Sequence, residues 1–87
     1  MLTITSAARA RLTRKLIHKK AGEDVALRFV RREGGWTLRL DRTQPADLSF
    51  DHNGRAVLLL DQAASKAMTD KTLDVRKTQA GARLVLR

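Results

Sequence analysis

The sequence predicts an α+β domain with a helix near its start, short and mostly antiparallel strands, and a second short helix. Three observations predict it. The apolar period changes from four residues to two after Gly22. Two turn signals, Gly34-Gly35 and Asn53-Gly54, separate alternating stretches. Asp61 stands where it can cap a brief Ala-rich segment. The order is helix, hairpin, hairpin, short helix, hairpin, in one domain over residues 1–87.

The first helix is expected from about Ala7 to Lys20. Ser6 can cap it by accepting from a free backbone N–H of the first turn. Ala8, Leu12 and Leu16 recur every four residues and so share one face. Lys19 and Lys20 suit the negative end of the helix dipole, and Gly22 supplies the stop. Val25, Leu27 and Phe29 then alternate with Ala26, Arg28 and Val30. After Gly34-Gly35 the alternation resumes at Trp36, Leu38 and Leu40. Thr43 to Asp47, with the single proline at Pro45, interrupts the pattern. Asn53-Gly54 joins Leu48–Asp51 to Arg55–Leu60, because both residues tolerate the positive φ of a tight hairpin turn. A helix through Gln62–Met68 follows, then strands at Leu73–Lys77 and Arg83–Leu86 around Ala80-Gly81.

Composition excludes several activities. The 87 residues contain no cysteine, which removes disulfides, thiolate metal sites and thiol nucleophiles. The longest wholly apolar run, Ala56 to Leu60, is far below the roughly 20 residues that cross a bilayer. No secretory h-region opens the chain, so a cytoplasmic protein without a membrane partner is expected. The net charge is +9, and six cations with no acid fall in residues 1–22. Such a start also marks transit peptides, but removing it would leave too small a core. Ser49 and Ser65 lack a partner base, Asp61 and Asp74 read as cap and strand-edge residues, and no nucleotide or zinc motif occurs. No enzyme and no cofactor is expected.

The chain resembles the A-type iron–sulfur carrier family, whose modules are called HesB-like domains. Leu2-Thr3-Ile4-Thr5-Ser6-Ala7-Ala8 is similar to the family's Thr-Ala-rich approach to a basic helix. Asp61, Met68, Asp70 and Leu73-Asp74-Val75 match its later motifs without a gap, as do Gly81 and Arg83-Leu84. The resemblance covers nearly the whole chain. It implies a HesB-like β-sandwich of two packed sheets with helices at the side. The departures concern the metal. The family's first cysteine falls on Trp36, its Ser-Gly on Thr37-Leu38, and its C-terminal Cys-Gly-Cys beyond Arg87. Clusters require soft thiolates, sometimes with histidine, and only His18 and His52 remain. The resemblance therefore implies a carrier-like scaffold without its ligands.

Arg9, Arg11, Arg14, Lys15, Lys19 and Lys20 are the candidate contact residues. Arg11/Lys15, Lys15/Lys19 and Arg11/Arg14 are like charges at helical spacing. Read functionally, they await a polyanion or an acidic protein face. Read plainly, they form a solvated face or pair with Glu23, Asp24 or Asp47. Trp36 and Leu38 are the candidate subunit contacts, and Trp36 either fills core or plugs the space where carriers hold metal. The leading expectation is a non-enzymatic interaction or oligomerisation module whose partners include iron–sulfur assembly proteins. An electrostatic binder of nucleic acid is the alternative. Cluster carriage with ligands from glutathione or a second subunit is a third.

Overall fold

The computed structural model describes residues Met1–Arg87. The elements in order are β1 (Thr3–Ile4), α1 (Ser6–His18), β2 (Val25–Arg32), β3 (Gly35–Arg42), β4 (Leu48–His52), β5 (Arg55–Leu60), α2 (Gln62–Ala67), β6 (Thr72–Thr78) and β7 (Gly81–Leu86). They build a four-stranded sheet of order β3-β2-β5-β4 and a three-stranded sheet of order β1-β6-β7. All three expected hairpins are antiparallel. Two parallel pairings join them: β2 to β5 through Leu27↔Leu58 and Arg28↔Leu59, and β1 to β6 through Thr3↔Thr72 and Ile4↔Leu73. No helix is long and apolar enough to cross a membrane.

The core lies between the sheets and the helices. Ala8, Leu12 and Leu16 of α1 are fully buried, as their spacing predicts, and pack with Leu27, Phe29, Leu58 and Leu60. Val57 through Leu60 are all buried. A bulge places Val57 opposite no residue of β4, since Phe50 pairs Leu58 and Asp51 pairs Ala56. An uninterrupted apolar run thus serves a central strand covered on both faces. At Asn53-Gly54 the φ values are 53° and 79°, as a two-residue hairpin turn of this hand requires.

Both ends of α1 depart from expectation. The N-cap is Thr5, not Ser6: the Thr5 hydroxyl accepts from the Ala8 N–H at 3.1 Å. That hydroxyl also donates to Asp74 Oδ1 at 2.9 Å, which fixes the choice between two adjacent hydroxyl residues. Asp74 lies on the middle strand of its sheet rather than at an edge, and also accepts from Val75 N–H and Arg87. At the other end α1 stops at His18, before Lys20. Lys20 adopts the left-handed conformation (φ 55°) and donates to Ile17 O at 2.9 Å; Ala21 N–H donates to Leu16 O at 3.0 Å. These two bonds form a Schellman ending, with a lysine in the position glycine usually takes. Gly22 lies beyond this turn and is not its left-handed residue.

The second helix keeps its expected cap, with Asp61 Oδ1 accepting from Ala64 N–H at 2.8 Å. It stops at Ala67, one residue before the expected end.

Candidate binding surface

Arg11 stands three residues before Arg14 and four before Lys15, and Lys15 four before Lys19 at the helix C-cap, so the four fall on one side of α1. Together with His18 they line a concavity of about 520 Å³ that contains no hydrophobic residue. His18 lies four residues after Arg14 and three after Lys15, and that spacing places it beside them. Arg9 and Lys20 lie elsewhere. Arg9 reaches β4: its guanidinium donates to Asp51 O and sits 5.9 Å from the centre of the Phe50 ring. It pins the helix to the sheet. Lys20 belongs to the left-handed turn.

The row has no internal counter-charge. Four salt bridges form in the protein, and none involves α1. Two of the acids expected to neutralise it are committed elsewhere: Asp24 pairs with Arg42, and Asp47 with Arg28. Each like-charge pair costs about 0.2–0.5 kcal/mol at low salt, with nothing in the chain to offset it. Arg11 Nε is shielded from solvent without a hydrogen-bond partner.

Arg28 shows what becomes of the remaining acids. Its side chain lies on β2, 8% exposed. Nε donates to Asp41 Oδ2 at 2.9 Å, Nη1 to Asp47 Oδ1 at 2.8 Å, and Nη2 to Asp47 Oδ2 and to Arg42 O. Hydrogen bonding to Asp47 raises the Arg28 pKa further. The same bond lowers that of Asp47, helped by Gln44 N–H. Asp41 is lowered first by the Arg42 backbone N–H, then by Arg28. This cluster clamps the Thr43–Asp47 connection onto the sheet and is structural. The signal for it lay in Ala26 and Val30, whose shared face makes a charged neighbour need partners.

A second surface adjoins the cationic row. Trp36 and Leu38 point to one side of β3, and Leu84 and Leu86 to one side of β7. These four are half-buried against the core. With Phe29 and Leu73 beneath them they line a groove of about 430 Å³, and Lys15 stands at its rim. The Trp36 ring meets Phe29 edge-on at 6.5 Å between centres, and Arg31 lies 5.5 Å from the indole. Trp36 therefore does pack against core, but it also forms a wall of an open groove.

The residues at these places do not fit an iron–sulfur cluster. The chain supplies no thiolate. No three His, Cys, Asp or Glu side chains converge, and His18 and His52 belong to α1 and β4. Where the resemblance places the first cysteine, Trp36 presents hydrocarbon.

No protein-family model matches the chain, and no curated protein matches it. Solved structures do. Escherichia coli SufA, involved in biosynthesis of iron–sulfur clusters, aligns over 99% of this chain and 83% of its own with a TM-score of 0.77 at 22% identity. IscA with the [2Fe-2S] cluster aligns over 100% and 84%, with a TM-score of 0.67 at 19% identity. The α+β sandwich that the resemblance implied is the fold observed.

Proposed function

We propose that this protein is a non-enzymatic interaction module that uses the fold of iron–sulfur carriers without cysteine ligands. The observation that carries the proposal is the convergence of Arg11, Arg14, Lys15 and Lys19 on one concavity with no hydrophobic residue in its lining, none of the four taking part in any of the protein's four salt bridges. Self-repulsion along a helix is a standing cost that an acidic partner relieves. Proteins of the iron–sulfur assembly pathway are the partner class suggested by the shared fold.

The test replaces all four by glutamine. A face that only meets solvent predicts a variant more stable at low salt by roughly 0.6–1.5 kcal/mol and otherwise unchanged. The interaction reading predicts the same stabilisation together with lost crosslinking to acidic partners in cell extract. Crosslinks that persist in the variant, or a wild-type protein that yields no assembly protein, count against it.

A second reading, binding of nucleic acid or another polyanion, is favoured by the concavity itself, whose lining of two arginines, two lysines and a histidine suits phosphate. Four neutralised phosphates would give a log–log salt slope of about −3.6 on duplex DNA. A slope unaltered by the glutamine variant would end that reading.

A further inference from the structure

Lys15 belongs to both surfaces, standing in the cationic row and at the rim of the apolar groove. We infer that the two act as one docking site for an acidic amphipathic helix of a protein partner, an inference that rests on the interaction reading above. The apolar side of that helix lies in the groove between β3 and β7. Its carboxylates lie over Arg11, Arg14, Lys15 and Lys19.

The layout selects this occupant over others. The groove walls are Trp36, Leu38, Leu84 and Leu86, and the Lys15 ammonium and the Trp36 indole N–H are the only hydrogen-bonding side-chain groups among its lining residues. Phosphate chains gain nothing from aliphatic walls, and one indole makes a poor platform for successive bases. A second copy of this chain carries its own +9 charge. Two-fold pairing across the groove would bring both cationic rows toward the shared seam, where like charges oppose association. A ligand with carboxylates along one edge of an apolar ridge meets both surfaces at once. An amphipathic helix has that arrangement, because apolar and charged residues separate to adjacent faces at its period.

Trp36 is the only tryptophan in the chain, so its emission reports directly on the groove. The experiment titrates wild-type protein with four probes. One is a fluorescein-labelled helical peptide with leucine along one face and glutamate along the other. The others are an all-glutamate peptide, the first peptide with lysine replacing glutamate, and duplex DNA. The expected result is binding of the Glu/Leu helix at least roughly tenfold tighter than all-glutamate, since one buried leucine accounts for such a factor. Trp36 emission moves to the blue as water leaves the groove, and the lysine peptide does not bind. Leu38→Gln, neutral and at a half-exposed lip, weakens the Glu/Leu peptide but not the all-glutamate one.

Equal binding of the Glu/Leu and all-glutamate peptides, with unchanged emission, overturns the groove and leaves the cationic row standing. Binding of neither overturns both. Tighter binding of duplex DNA that displaces the peptide overturns the choice of protein as partner. A concentration-dependent dimer in sedimentation, dissolved by Leu38→Gln, overturns it in favour of a second copy.

Discussion

Both carboxylate oxygens of Asp47 face the terminal nitrogens of Arg28, and neither side chain is more than 9% exposed. Removing Asp47 takes two of the four hydrogen bonds of the buried Arg28 guanidinium and leaves Asp41 as its single counter-charge. Asp47→Ala is expected to cost about 2–3 kcal/mol in urea denaturation, less than for a charge left with no partner. The same residues set the response to acid. Asp41, Asp47 and Asp74 all have lowered pKa values in the folded protein. A carboxyl lowered by folding contributes stability that is fully present above its unfolded pKa, about 3.9. That contribution is lost as pH falls through the folded value. Stability should therefore be flat with respect to these groups near neutrality and decline below about pH 4. Asp47→Asn should make that acid decline shallower, as read by melting temperature against pH. Lys20 presents the opposite opportunity. Its φ of 55° strains any residue with a Cβ, so Lys20→Gly should stabilise the protein by about 1 kcal/mol. Calorimetry of the two proteins measures it.

Elements were legible where their cause is local. Leu12 and Leu16 reveal the buried side of α1 by spacing alone, and Asn53-Gly54 reveals β4 and β5 because the turn chemistry lies in two adjacent residues. Elements caused from a distance were not legible. The two-residue strand β1 has no period, and it exists because β6 offers Thr72 and Leu73 for pairing. The cap of α1 fell to Thr5 because Asp74, 69 residues away, accepts from its hydroxyl. Thr5→Ala removes both the cap and this tie and should cost about 1–2 kcal/mol, at the upper end for a cap. Thr5→Ser retains the hydroxyl and should recover most of the loss. Chemical denaturation of the two variants against wild type tests the assignment, with Ser6→Ala as a control expected to change little.

Across the whole molecule, net charge decides how stability depends on salt. Exposed like charges are screened beyond a Debye length of about 10 Å at 0.1 M. Wild-type stability should rise between low and moderate salt, and the four-glutamine variant should show a smaller rise, measured by urea midpoints at each ionic strength. The cationic row was legible because helical spacing encodes it. The groove was only half legible: Trp36 and Leu38 share a strand, but Leu84 and Leu86 come from a different sheet, and no local pattern announces that meeting. The fates of Asp24 and Asp47 were hidden for the same reason, since Arg42 and Arg28 reach them through tertiary geometry. The sheet order has a further consequence during synthesis. Residues 25–60 contain the entire four-stranded sheet, which is complete once they are made. β1 leaves the ribosome well before its mate β6, which begins only at Thr72. Throughout that interval a strand edge is open on the nascent chain, beside six cations and no carboxylate in residues 1–22. Repulsion between neighbouring nascent chains then opposes pairing through that edge. The charge that burdens the finished helix thus protects the unfinished polypeptide.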